Sequence, residues 1–219
     1  MIIAPHPDDE ILGVGGTISK LVKHEWEVTV VIVTKGYPPM FEHELVEKGR
    51  TQAREAHQYL GVKDTVFLEA FPAAMLDQVA HSDLNCAICG VMDKIKPQLL
   101  FVPFVGDIHN DHQLVFLSAL VASRPVGSSV PRKVLAYETL SETFWNAPYL
   151  APAFAPNVFV NISEELEQKL QAMSIYSSQL KEFPEQRSIQ AMKALAELRG
   201  STINVKAAES FVLIRDIVY

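Results

Sequence analysis

The chain has 219 residues, 48% of them apolar, and a formal net charge of −7, which supports one α/β domain over residues 1–219 with a sizeable core and excludes general disorder. The acidic balance argues against a nucleic-acid surface. No run of the ~18 apolar residues that a membrane span needs is present, and without a basic n-region and a long h-region there is no signal peptide to read, so the expected location is cytoplasmic.

Met1 to Ala4 is a short apolar lead-in that reads as a strand, and Pro5-His6-Pro7-Asp8-Asp9-Glu10 follows it directly. Two prolines spaced this way fix φ and turn the chain, giving a strand-to-helix corner. The three carboxylates then fall at the start of a helix from Ile11 to His24, where they cap free N–H groups and meet the positive end of the helix dipole. Capping explains the acids but leaves His6 and the prolines without a task. Gly13, Gly15 and Gly16 fit neither a dinucleotide fingerprint nor a Walker loop; they suit a helix packed closely on a sheet.

Trp26 to Thr34 is a near-continuous apolar and β-branched run, the mark of a parallel strand buried on both faces. Lys35 to Met40 leaves it as a loop, and Glu47 to Gly61 reads as a helix with Gly61 at its C-terminal cap. That helix carries Arg50 and Arg54, either a solvated face or a guanidinium suited to a carboxylate or phosphate. Thr65 to Leu68 is a third strand, Glu69 to Ser82 a loop, and Asp83 to Lys96 a helix closed by Pro97. Cys86 and Cys89 lie inside it as C-x-x-C; without a second pair or a nearby His they read as two core or half-buried thiols.

Leu99 to Val102 reads as the next strand, and Asp107-Ile108-His109-Asn110-Asp111-His112 follows it. Taken alone, each charged cluster reads as a surface ion pair or a helix cap. Both stand after a strand, however, and together they hold three of the seven histidines. If the two strands are parallel neighbours, both clusters emerge at the carboxyl edge where open α/β sheets bind ligands. Imidazoles and a carboxylate converging there make a divalent metal site, with zinc favoured by N/O ligands and a catalytic site keeping three of them.

Gln113 to Ser123 fits a helix and Lys133 to Tyr137 a strand. Glu138 to Asn157 lacks periodicity and is rich in Pro and aromatics, including Phe144, Trp145, Tyr149 and Phe154. Loops this long are commonly functional: the aromatics, Trp145 foremost, either stack on a ligand or cover the core or a subunit contact. With the short first strand they admit a homo-oligomer. Asn157 to Ile162 is strand-like, Ser163-Glu164-Glu165 opens a helix toward Tyr176, Gln186 to Arg199 is a helix capped by Gly200, and Glu209 to Arg215 is a closing strand. Strand and helix alternate over the first half, which predicts parallel βαβ units with right-handed crossovers.

Residues 5–10 match (A/P)-H-P-D-D-E and residues 107–112 match D-x-H-x-D-H, the two motifs of the LmbE-like or PIG-L-type zinc de-N-acetylases, and the chain resembles that family. The Tyr176-Ser177-Ser178-Gln179 and Ala208-Glu209-Ser210-Phe211 segments are similar to further family segments and are read as scaffold. The resemblance implies a doubly wound, mostly parallel, Rossmann-like α/β fold with helices on both faces. It also implies hydrolysis of an N-acetyl group from an N-acetylglucosamine-containing small-molecule conjugate. By position, His6, Asp9 and His112 correspond to the ligands of one Zn2+ per chain, Asp8 to the general base, His109 to the oxyanion stabiliser, and Asp111 to a residue orienting a histidine. The family commonly uses an arginine near Arg50 to contact substrate. An acidic residue often follows the glycine at position 36 in the family, where this chain has Tyr37; that departure bears on substrate identity.

The motifs specify metal and base but not the acyl acceptor. A zinc amidase acting on a non-sugar or thiol-conjugate amide, and a sugar-binding protein with a non-catalytic metal, are the other readings. Asp8 speaks against the last, since binding alone does not need a free carboxylate beside a ligand.

Overall fold

A computed structural model describes residues 1–126 and 130–218. Its centre is β1 (Ile2–Ala4), fully buried, which pairs in parallel with β2 (Thr29–Ile32) on one side and β4 (Leu99–Pro103) on the other. Strand β3 (Asp64–Phe67) lies outside β2 and β5 (Lys133–Tyr137) outside β4, both parallel to their neighbours. Beyond β5 the sheet changes direction: β7 (Ala208–Asp216) runs antiparallel to β5, and β6 (Val158–Asn161) antiparallel to β7. The order β3-β2-β1-β4-β5-β7-β6 gives seven strands. The chain leaves β1 toward one edge and returns to β4 on its other side, so the strand order reverses between β1 and β4, where doubly wound sheets open a ligand crevice.

Side chains alternate across a strand, and here the alternation separates two apolar layers. Ile2, Ala4, Val30 and Ile32 pack with residues of α1 (Asp9–Lys23), α2 (His43–Leu60), α5 (Leu166–Ile175) and α6 (Ile189–Ser201). Ile3, Val31, Leu100 and Val102 pack with α3 (His81–Ile95) and α4 (Asn110–Ala122) on the opposite face. None of the described helices is long and apolar enough to cross a membrane.

Several boundaries differ from expectation. Helix α4 begins at Asn110, inside the second motif, because the His109 side chain caps it by accepting from Asp111 N–H. Helix α2 begins at His43, a turn before the expected Glu47. Helix α6 starts after the cap Ser188 and runs through Gly200, which it buries against the backbone of Ala207 and Val205. Cys86 is exposed and Cys89 half-buried, both free on α3, so the expectation of a buried or half-buried pair holds only for Cys89.

The glycines of α1 do bring that helix onto its neighbours. A Cβ at Gly13 would fall 2.3 Å from Tyr137 Cδ2 and 3.0 Å from the Glu138 carbonyl oxygen. Gly13→Ala is therefore expected to destabilise the fold by about 1–3 kcal/mol through overpacking, measured as a fall in denaturation midpoint; an unchanged midpoint would show that the helix can retreat from β5.

Candidate active site

Pro5 ends β1 with its carbonyl held by Thr34, whose N–H and Oγ1 both donate to it, at 3.0 and 2.8 Å. Three residues on, Asp8 takes φ 109°, a left-handed conformation that costs energy for a non-glycine residue. The surroundings fix it there. Its carbonyl accepts from Ile11 and Leu12 N–H at 3.0 and 2.9 Å, and its N–H donates to Glu10 Oε2 at 3.2 Å. Glu10 in turn is clamped through Oε1 by Tyr176 Oη at 2.6 Å and His57 Nε2 at 3.1 Å. The Asp8 carboxylate is 1% exposed; Oδ2 accepts from Arg187 Nη1 at 3.2 Å and Oδ1 has no partner among the described residues. Arg187 is itself tied to Ser141 Oγ and Glu142 Oε1.

The second motif reaches the same place from β4. Asp107 Oδ2 accepts from His112 Nδ1 at 2.8 Å, and Thr143 Oγ1 donates to Asp107 Oδ1 at 2.6 Å. With one proton held on Nδ1, Nε2, 3.2 Å from Asp9 Oδ2, is the His112 nitrogen that can face a cation once its own proton leaves. His6 offers Nδ1 to the same Asp9 oxygen at 3.3 Å, while its Nε2 meets Asp111 Oδ2 at 2.9 Å. The Asp111 carboxylate is also held by Ala74 and Leu76 N–H at 2.7 and 3.3 Å. His109 Nδ1 accepts from Asp111 N–H at 3.1 Å, which puts the proton of a neutral ring on Nε2.

Donor atoms of His6, Asp9 and His112 lie within 4.8 Å of one another, as do those of His6, His109 and Asp111. The first set fits a divalent cation better. Asp9 Oδ1 and His112 Nε2 are buried without a well-formed hydrogen bond, an expensive arrangement unless something positive sits between them. In the second set the Asp111 carboxylate already accepts from Ala74 and Leu76 N–H, and His109 Nδ1 from the Asp111 backbone N–H. The electrostatics agree: burial pulls the His6 and His112 imidazoles down, but the hydrogen bonds that His6 donates to Asp111 and Asp9, and the charge of Asp9 with the hydrogen bond that His112 donates to Asp107, outweigh it and carry them up to about 9 and about 10. Burial also opposes the charge on Asp9, yet the charge of His112 and the hydrogen bonds to both histidines hold that carboxyl well below its ordinary range. A cation entering this set displaces the imidazole protons, so its affinity falls as pH falls. Burial drives Asp8 the other way, up to about 8, with Arg187 pulling against it and Asp9 and Glu10 adding to the rise. Burial, then the charge of His6, lowers His109.

A cavity of about 360 Å³ opens beside these groups, lined by His6, Asp8, His109, Arg187, Arg50 and Phe41 among others. Of the expected substrate contacts, Arg50 borders it, with Nη1 given to Glu69 Oε2 at 3.0 Å and Nη2 to Glu69 Oε1. Hydrogen bonds from Arg50 and then Lys35 draw the Glu69 carboxyl down to about 2, against a small cost of burial. Tyr37 donates its hydroxyl to the Glu69 carbonyl and Trp145 is 60% exposed; neither lines the cavity.

The profile of the PIG-L family, described as GlcNAc-PI de-N-acetylase, matches residues 1–123, more than half of the chain and both motifs. The chain belongs to the PIG-L family. Over 173 residues it is 28% identical to an uncharacterized deacetylase of Escherichia coli, YaiS, covering 75% of this chain and 82% of that one. Over 195 residues it is 27% identical to the diacetylchitobiose deacetylase of Thermococcus kodakarensis, covering 84% and 70%. The solved N,N'-diacetylchitobiose deacetylase of Pyrococcus horikoshii superposes with a TM-score of 0.77 at 24% identity, over 97% of this chain and 82% of that one, a likeness of fold.

In this PIG-L-family chain the motif residues converge as their positions after β1 and β4 imply. Arg187, Thr143, His57 and the role of Tyr176 carried no sequence signal, since each reaches the motifs from a distant segment. The support of His112 by Asp107 is testable by itself. Asp107→Asn cannot hold the Nδ1 proton as an anion does, and loss of such an outer partner costs about 10–100-fold in metal affinity. Competition with a chelating dye should show that weakening with the fold intact; unchanged affinity would mean that His112 does not ligate through Nε2.

Proposed function

We propose that this chain is a metal-dependent hydrolase, with Zn2+ the expected ion, that removes the N-acetyl group from an N-acetylglucosamine-containing conjugate, with residues 1–219 acting as one deacetylase domain. The observation that carries the reading is Asp8: a buried carboxylate with one unpartnered oxygen, bordering the cavity next to the donor set His6, Asp9 and His112 but outside that set. A pure binding site has no use for it.

His6, Asp9 and His112 would hold the ion, which when bound supplies Lewis-acid polarisation and brings a water pKa toward ~7. Asp8 accepts the proton of the water as its oxygen adds to the amide carbonyl carbon, and returns that proton to the nitrogen as the C–N bond breaks, so that acetate and a free amine leave. The raised Asp8 pKa suits a group that must both take and give a proton near neutrality. Arg187 holds the carboxylate in place without occupying Oδ1. His109 donates Nε2–H to the carbonyl oxygen as negative charge develops there. A neutral ring suffices, because Nδ1 already accepts from Asp111 N–H.

Acetate release from N-acetylglucosamine and its glycosides by the metal-loaded chain tests the reading. Stoichiometric acetate and free amine support it. Release of a different acyl group, or cleavage of a non-sugar amide in preference, would move the chain to another amidase class.

A further inference from the structure

The lining of the cavity is divided in its chemistry. His6, Asp8, His109 and Arg187 form an ionic part, and Phe41, Leu45 and Val46 an apolar part contributed by the segment that leads into α2 and by its first turn. Phe41 is seated there by the missing side chain of Gly36: a Cβ at that residue would lie 2.7 Å from Phe41 Cγ and 2.9 Å from Val46 Cγ2. A hydrogen bond from Phe41 N–H to the Tyr37 carbonyl, 3.0 Å, closes the turn. Nevertheless much of this apolar surface stays in water. Leu45 is 58% exposed and Phe41 36%. Large apolar side chains that line a cavity and stay in solvent are the signature of a surface that a ligand covers.

The cations around the same cavity are already neutralised. Lys35 Nζ lies 3.1 Å from Glu69 Oε2 and 4.0 Å from Glu47 Oε1, Arg50 gives both terminal nitrogens to Glu69 and stacks on Phe67 at 4.4 Å, and Arg187 is shared by Asp8 and Glu142. An anionic acceptor would have to separate Glu69 from two cations. An apolar one meets Phe41, Leu45 and Val46 without breaking an ion pair.

We propose that the acceptor side of this cavity takes an uncharged apolar group, alkyl or aryl, which makes the substrate an amphipathic N-acetylglucosaminide in preference to the free sugar, a second sugar unit or an anionic conjugate. The inference rests on the deacetylase reading above, and the experiment separates the two. The metal-loaded chain is given the methyl, butyl and octyl glycosides of N-acetylglucosamine, diacetylchitobiose and a phosphate-bearing glycoside, each below self-associating concentrations, and kcat and KM for acetate release are determined. In parallel, Kd for the methyl and octyl glycosides is measured calorimetrically on Asp8→Asn. Each methylene buried against the wall raises affinity about four-fold, so octyl should exceed methyl by at least about ten-fold, through KM and Kd and not kcat, and Leu45→Ser should collapse that ratio. Acetate released equally well from methyl and octyl glycosides, or best from diacetylchitobiose or the phosphate-bearing compound, overturns the inference and leaves the deacetylase reading standing. If no glycoside releases acetate, the deacetylase reading falls, and the Kd ratio still decides the pocket: a ratio near unity overturns it and a ratio of about ten or more upholds it.

Discussion

Asp8→Asn is expected to keep the fold and the bound metal while losing about 10²–10⁴-fold in acetate release, the usual contribution of a positioned general base. Asn is the informative replacement for a backbone reason. Position 8 sits at φ 109°, and Asn tolerates positive φ better than other non-glycine residues. Asp8→Ala would mix lost chemistry with relaxation of the corner that Glu10 holds. The amide of Asn can still accept from Arg187, which keeps its second partner in Glu142, but it cannot take a proton from water. Metal content on the same sample, with kcat for acetate release, checks the expectation. An Asn variant that turns over within a few-fold of the parent would remove Asp8 from the chemistry.

His109→Ala is expected to lower kcat by about 10²–10³-fold, the cost of losing one oxyanion donor, with metal content unchanged because His109 lies outside the favoured donor set. The change also removes the side chain that caps α4, worth ~1 kcal/mol, so the denaturation midpoint should be recorded beside the kinetics. Full loss of metal would give the second set, His6, His109 and Asp111, the ion instead, and would exchange a ligand with a stabiliser in the scheme.

Those two residues were legible because each stands within a run of a few charged residues directly after an apolar strand. The same physics made the sheet legible: Thr29–Ile32 and Leu99–Pro103 are apolar stretches buried on both faces, and alternation with helices implies parallel pairing. Where local pattern ended, legibility ended. The antiparallel β6 and β7 look like any other apolar run, and nothing local fixes their direction. Arg187 meets Asp8 across 179 residues, Tyr176 meets Glu10 across 166, and Thr143 meets Asp107 across 36; a lone Arg, Tyr or Thr announces no such partner. Arg50 was visible as a cation on its helix with a substrate contact as one of two readings, but Glu69, which holds it, was read only as the first residue of a loop. The α2 boundary mattered most for function, since beginning the helix at Glu47 left Leu45 and Val46 outside it and hid the apolar wall.

The most direct test titrates Zn2+ into metal-stripped protein and records bound metal and acetate release from an N-acetylglucosamine conjugate on the same samples, with Asp8→Asn alongside. The account predicts activity rising in proportion to bound ion and levelling at one per chain, with Asp8→Asn filling equally and staying near background. Full occupancy without acetate from any N-acetylglucosamine compound, or undiminished release from the stripped protein, would contradict it.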